Sequence, residues 1–293
     1  MNILIALIPA VAWGSIGLIS GKLGGNAYQQ TVGMTIGAFI FSLGMYLVVR
    51  PTIDMKVVVV GLLSGVFWAV GQGNQFRAMK NMGISRAVPM STGMQLVFNT
   101  LAGALVFHEW QTTKQISIGT MALVLLVIGA TLTSLRDKNS IYNKNDDGTE
   151  FRKGFNALLL STAGYLGYTV IVKWANFPDS TSIILPQAVG MFIGALFLAR
   201  GKVDGQPKKP WTKATAKNII TGVSWGIGNA AMFIAMSRVG LAISYSLSQT
   251  GIIISTVGSI LLLGEKKSRR ELIFTVIGCL IVIAGGVSLG FVQ

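Results

Sequence analysis

The chain has 293 residues, of which 52% are hydrophobic and 12% charged, and its mean hydropathy is +0.63. A soluble domain carries about a quarter charged residues, so this composition excludes an ordinary water-soluble fold and points to a bilayer. A net charge of +14 would raise nucleic acid as a partner of a soluble protein. Here the charges fall between or at the ends of apolar runs, where they read as topology signals and not as a nucleic-acid surface.

Ten apolar runs of roughly 18 to 22 residues, each long enough to cross about 30 Å of hydrocarbon, follow in chain order. The first, Ile3 to Ser20, has no basic leader and passes through Gly24, Gly25 and Asn26 straight into the second, so it reads as a permanent helix and not a signal peptide. The second is Gln30 to Val49. The third, Val57 to Phe76, carries Trp68, Gln72 and Gln75 on one helical face. The fourth, Ala87 to Phe107, carries Gln95 and Asn99 and runs out into His108-Glu109, and the fifth is Ile116 to Leu135. A polar stretch that includes Asn143 to Gly148 then reads as a flexible linker. The sixth run, Phe155 to Val172, holds Tyr165 and Tyr168, and the seventh, Ser182 to Ala199, holds Gln187 near its start. The eighth, Asn218 to Ser237, holds Trp225 and Asn229, and the ninth, Leu241 to Leu263, holds Gln249 and is followed by Gly264-Glu265. The tenth, Leu272 to Val292, contains the single cysteine, Cys279, so no intrachain disulfide or cysteine metal cluster is expected.

The runs repeat. Gln30 to Ala38, QTVGMTIGA, reappears as Gln187 to Ala195, QAVGMFIGA, identical at seven of nine positions. At the same offset Trp68-Ala69-Val70-Gly71-Gln72 matches Trp225-Gly226-Ile227-Gly228-Asn229, Met79 and Gly83 match Met236 and Gly240, and Glu109 matches Glu265 within one residue. The expected organisation is a first five-helix repeat over 1–136, a polar linker over 137–153 and a second five-helix repeat over 154–293. Five spans are an odd number, so the second copy enters the membrane from the opposite side. An inverted repeat of this kind is how many secondary transporters are built, with the substrate site where the copies meet. The fold expected is an all-α membrane protein of ten transmembrane helices in two inverted repeats. Duplication that yields only a stable bundle is the plainer alternative.

The basic residues bear on orientation. Nineteen of the 24 fall in the odd-numbered connections, whereas Arg50, Lys56, Lys114, Lys173 and Arg238 occupy the even ones. By the positive-inside bias the odd connections are cytoplasmic and both termini face outward. The densest run, Arg200 to Lys217, is also suited to contact with anionic lipid.

In hydrocarbon a polar side chain needs a partner or a wet cavity, so polar residues inside spans are informative. None of those is charged, and the carboxylates lie at or beyond span ends, which favours a neutral solute. Trp13, Trp68, Gln72, Gln95, Asn99, Tyr165, Gln187, Trp225, Asn229 and Gln249 are the candidate substrate-binding residues. Amides supply donors and acceptors for hydroxyl groups, and aromatic faces pack on the C–H face of a sugar ring. Each amide has a plainer use in bonding a neighbouring helix. The GxxxG pairs Gly33/Gly37 and Gly190/Gly194 are more simply packing than binding. If transport is coupled to protons, Glu109, beside His108, and Glu265 are the candidate carboxylates. No P-loop, HExxH or GxSxG motif occurs, so no enzyme activity and no cofactor are expected.

Pro9-Ala10-Val11-Ala12-Trp13-Gly14, Ser85-Arg86-Ala87-Val88-Pro89, Leu185 to Met191 and Leu247-Ser248-Gln249-Thr250 resemble the bacterial glucose and ribose uptake proteins, the glucose/ribose porter family of the drug/metabolite transporter superfamily. The resemblance covers essentially the whole chain. It implies a ten-helix inverted repeat in the bacterial cytoplasmic membrane that takes up a monosaccharide, glucose-like or ribose-like, together with protons. Relatives in that superfamily are commonly drawn with cytoplasmic termini, opposite to what the basic residues here indicate. Export of amino acids or other metabolites, and sugar sensing without transport, are the competing functions; the oligomeric state is not legible.

Overall fold

A computed structural model of the protein describes residues 2–135, 137, 148–177, 181–203, 206–239, 244 and 247–292. Helices dominate because a chain in hydrocarbon must satisfy its own backbone, which a helix does within one segment. They are α1 (Asn2–Leu23), α2 (Ala27–Val49), α3 (Met55–Met82), α4 (Ile84–Leu105), α5 (Thr113–Ser134), α6 (Thr149–Ala175), α7 (Ile184–Leu198), a five-residue α8 (Lys213–Lys217), α9 (Ile219–Val239), α10 (Gly251–Leu262) and α11 (Arg269–Leu289). A two-residue antiparallel ribbon, β1 (Lys202–Val203) on β2 (Gln206–Pro207), lies between α7 and α8. Among the described residues each expected run falls on a helix of its own, the ninth only in part, since 241–243 and 245–246 lie outside the described residues; α8 is an addition. Of the expected linker, residues 138–147 lie outside the described residues, and so does Gly240 of the repeat.

Among the described residues six helices, α1, α2, α3, α5, α6 and α11, are long and apolar enough to cross a membrane. α4 is as long as α1 but carries Ser85, Arg86 and Ser91, all buried, and polar residues turned inward lower a helix's mean hydropathy without exposing it to lipid. α7 and α10 are shorter, at 15 and 12 residues.

Several helix starts are written in the sequence. Asn26 and Gln29, Thr112 and Gln115, and Ser268 and Glu271 each form a capping box, the first side chain accepting from the backbone three residues on and the second reaching back. Arg77 and Lys80 were expected in a connection, but α3 continues past them to Met82, and only Gly83 separates it from α4.

The chain divides into two compact units, each drawn from both halves of the sequence. The first comprises Met1–Leu18, Ala78–Leu158 and Ile227–Gln293, and the second Ile19–Arg77 and Leu159–Gly226. Inside the second unit the duplicated GxxxG pairs make matching contacts. Gly33 and Gly37 of α2 lie against Asn218 and Gly222 at the start of α9, while Gly190 and Gly194 of α7 lie against Leu62 and Val66 of α3. A side chain at Gly37 would run into the Ile219 carbonyl, so these backbones approach as only small residues allow. Val32, Ala69, Ala195 and Ala199 fill the space between.

Inside the first unit α5 lies against α11. Gly129 meets Gly278 and Val282, while Leu126 and Ala122 meet Gly285. The contact positions rise along α5 as they fall along α11, so the two helices run antiparallel. Leu96, Leu126, Ile252, Cys279 and Val282 form the apolar centre of this packing.

Candidate functional site

Four of the expected residues converge in the second unit. Trp68 and Gln72 stand one turn apart on α3, Tyr165 comes from α6 and Trp225 from α9, and they are 3%, 4%, 8% and 7% exposed. α6 reaches α3 this closely because Gly71 and Gly164 face each other, and the Tyr165 ring lies over Gly71. The two tryptophans, equivalent in the repeat, meet edge to face with centroids 5.5 Å apart, and Trp68 meets Tyr165 at 6.4 Å. The Tyr165 hydroxyl donates to Gln72 Oε1 at 2.9 Å and lies 3.2 Å from Gln75 Oε1, which also accepts from Gln72 Nε2 at 3.2 Å. Beside this group the Gln187 amide donates to Ser64 Oγ at 2.8 Å, and Ser64 donates to the Tyr168 carbonyl at 3.0 Å. The result is an aromatic floor with a chain of neutral donors and acceptors, suited to hydroxyl groups and carrying no charge.

The other expected residues belong to the first unit. Gln95 donates to Ser91 Oγ at 2.9 Å and Asn99 to the Gln95 carbonyl at 2.9 Å, both within α4. Gln249 donates to Ser248 Oγ at 3.3 Å, and its methylenes lie on Gly286. The Trp13 indole covers Gly228, next to the half-buried Asn229. Glu109 is exposed with its carboxylate folded back on Gly103. Glu265 instead reaches α4: its carboxylate accepts from the Ile84 and Ser85 backbone N–H groups and from Ser259 Oγ. Gly83, the N-cap of α4, supplies no side-chain bond of its own, so a carboxylate from the far half of the chain caps this helix. Among the described residues no group of His, Cys, Asp and Glu converges as a metal site.

A profile of the sugar transport protein family matches residues 4–292. The chain belongs to that family. Among its sugar transport relatives, one from Lactiplantibacillus plantarum named for sugar uptake is 52% identical over 100% of both chains. Another from Enterococcus faecalis, named likewise, is 50% identical over 100% of both. A third, from Bacillus cereus and named for glucose uptake (GlcU), is 47% identical over 100% of this chain and 99% of its own. A crystal structure at 17% identity superposes with a TM-score of 0.59 over 100% of this chain and 99% of its own, which shows a common fold.

In this member of the sugar transport family one feature escaped sequence reasoning. Arg86, expected in a connection, lies in the first turn of α4 and pairs with Glu271 of α11 at 2.7 Å, the two being 8% and 1% exposed. Glu271 also accepts from the backbone N–H of Asp137 at 3.2 Å and of Ser268 at 3.1 Å, and Ser268 Oγ donates to Asp137 Oδ2 at 3.1 Å. Lys267 stands close by, donating to Thr275 Oγ1 at 2.8 Å. Burial, with the nearby Arg86 guanidinium, pushes the Lys267 ammonium down to about 8. The box Ser268-x-x-Glu271 was the readable half of this signal; nothing in spacing announced its partner.

Proposed function

We propose that the protein is a secondary carrier that takes up a monosaccharide, glucose-like before ribose-like, by alternating access of two inverted five-helix repeats, over 1–136 and 154–293, across the bacterial cytoplasmic membrane. The observation that carries this reading is the meeting of the repeat-equivalent Trp68 and Trp225 over the amides of Gln72 and Gln75. Equivalent residues touch where a two-fold axis passes. The reciprocal GxxxG contacts and the antiparallel α5–α11 pair agree with such an axis in the membrane plane.

The chemistry agrees as well. A sugar hydroxyl can replace Tyr165 as donor to Gln72, and exchanging one internal hydrogen bond for another avoids leaving a buried amide unsatisfied. Names for sugar and glucose uptake among relatives about half identical over full length support the substrate class. Proton coupling, the outward placement of both termini and the further contribution of Trp13, Gln95, Asn99, Gln187, Asn229 and Gln249 belong to the same proposal. Of the two carboxylates considered for coupling, Glu109 is the exposed one and Glu265 serves as a cap.

Counterflow of labelled sugar in proteoliposomes tests the reading. Glucose should exchange, a protonophore should abolish net accumulation, and Gln72→Ala should lose exchange. Absence of exchange for every hexose and pentose, with correctly inserted protein, would overturn it.

A further inference from the structure

The start of α4 is held from across the chain by two carboxylates. Glu265 takes the backbone N–H groups of Ile84 and Ser85, and Glu271 takes the side chain of Arg86. Both come from the segment between α10 and the first turn of α11. Glu271 further gathers Asp137, just past α5, so the start of α4, the end of α5 and the start of α11 meet at one anion. Each side of this junction is flanked by a glycine at positive φ: Gly83 at 85° between α3 and α4, and Gly264 at 70° just before Glu265. Glycine adopts that conformation freely, so both sides can swing without a side chain resisting.

A buried ion pair is a poor choice for stability alone, because an apolar pair of similar volume does as well or better. It is a good choice for an all-or-none contact. When closed, the two charges neutralise each other at 2.7 Å; when only slightly open, each would be stranded in a low dielectric, so half-open geometries are disfavoured. Two cations crowd the same anions here, since Lys267 lies within electrostatic reach of Arg86, Glu265 and Glu271. Repulsion between Lys267 and Arg86, the largest single charge effect on Lys267, opposes closure, while attraction to the two carboxylates favours it.

We propose that Arg86 and Glu271, with Glu265, form a latch of the transport cycle, closed in this structure and open in the opposite-facing state. The inference rests on the carrier reading above. The latch residues are positioning residues that touch no sugar.

The test places a thiol beneath the latch. Ser85 is 1% exposed, so Ser85→Cys in a Cys279→Ala background reports opening through its rate of modification by a maleimide in proteoliposomes, without any sugar. Glu271→Gln, which removes the charge and keeps one carbonyl acceptor in place of the two oxygens that take the Asp137 and Ser268 N–H groups, should raise that rate about tenfold, an effect within reach of losing one ionic partner. Charge exchange, Arg86→Glu with Glu271→Arg, should lower it again. A matching probe at Ser161, also fully buried but in the second unit, should not respond. An unchanged Ser85→Cys rate, or an equal rise at Ser161→Cys, would overturn the latch in favour of a fixed cross-link or general loosening. If Glu271→Gln does not fold, Glu265→Gln serves as the same test. In the parent, a sugar that exchanges in counterflow should change the Ser85→Cys rate. No change in a protein that does exchange sugar would overturn the latch and leave the carrier intact, whereas failure of counterflow itself strikes the carrier reading alone.

Discussion

Two buried polar regions of this protein use opposite chemistry. The cluster of the second unit is neutral: two tryptophans meet edge to face, and a tyrosine and amides share hydrogen bonds that are individually weak and mutually replaceable. The junction of the first unit is ionic: one guanidinium and one carboxylate, both buried, with backbone donors fixing the geometry. A neutral network can trade one partner for a solute hydroxyl at small cost, which suits binding. An ionic one loses heavily when a partner leaves and gains nothing from a neutral solute, which suits a switch between discrete positions.

The comparison breaks most visibly at its ionic end. Arg86→Ala strands Glu271, which is 1% exposed, and should cost about 3–5 kcal/mol, the usual penalty for removing one member of a buried pair. Arg86→Met with Glu271→Met should recover most of the loss, because the cost lies in the unpaired charge and not in missing volume. Denaturation midpoints in mild detergent would measure both. Equal destabilisation of single and double variants would mean that the pair matters for packing alone.

Next in size is the shared scaffold. Gly37→Ala places a methyl against the Ile219 carbonyl and should cost about 1–3 kcal/mol as overpacking. The matched change in the other copy, Gly194→Ala, meets the Ala69 side chain at 2.9 Å and the Val66 backbone at 3.0 Å, a less close approach than at Gly37, and should cost less. Thermal shifts of the two variants rank them, and a larger loss at Gly194 would contradict the packing described.

The neutral cluster should respond more gently. Tyr165→Phe keeps the ring against Trp68 and removes the hydroxyl shared by Gln72 and Gln75. Stability should fall by about 1 kcal/mol, while the half-saturating sugar concentration in counterflow changes by roughly tenfold or less, the equivalent of about 1.4 kcal/mol. Complete loss of folding would show that the cluster is a structural core.

What the sequence disclosed follows the same division. Hydropathy placed ten helices because lipid demands long apolar runs, and the internal match paired Trp68 with Trp225, which then prove to touch. The amides of Gln72 and Gln75 were legible because three residues on one helical face share a period. The ionic junction was not. Arg86 and Glu271 sit 185 positions apart, each at a helix end where a charge ordinarily meets water, and no local pattern distinguishes a buried end from a wet one. Glu265 was read as a titrating group for the same reason: its role as the cap of α4 depends on a helix start 180 residues earlier.

The smallest effect expected is the pH response of Lys267. Its ammonium titrates at about 8 in the folded protein against an ordinary 10.5, because burial and then Arg86 disfavour the charge. The folded state therefore holds fewer protons than the unfolded one between those values, so stability should rise with pH from about 8 to above 10 and be lost as pH falls back through that window. The group is partly solvated and bonded to Thr275, so the gain is on the order of 1 kcal/mol, or about 2–4 °C in Tm. Lys267→Met should flatten the rise and lift Tm at pH 7 toward the high-pH value of the parent. Because the charge that is lost opposes Arg86, Lys267→Met should also slow modification of Ser85→Cys at a fixed pH of 7, where the thiolate fraction of the probe is unchanged. A faster rate in that variant would mean that Lys267 helps to hold the junction shut, with its attraction to Glu265 and Glu271 outweighing its repulsion from Arg86.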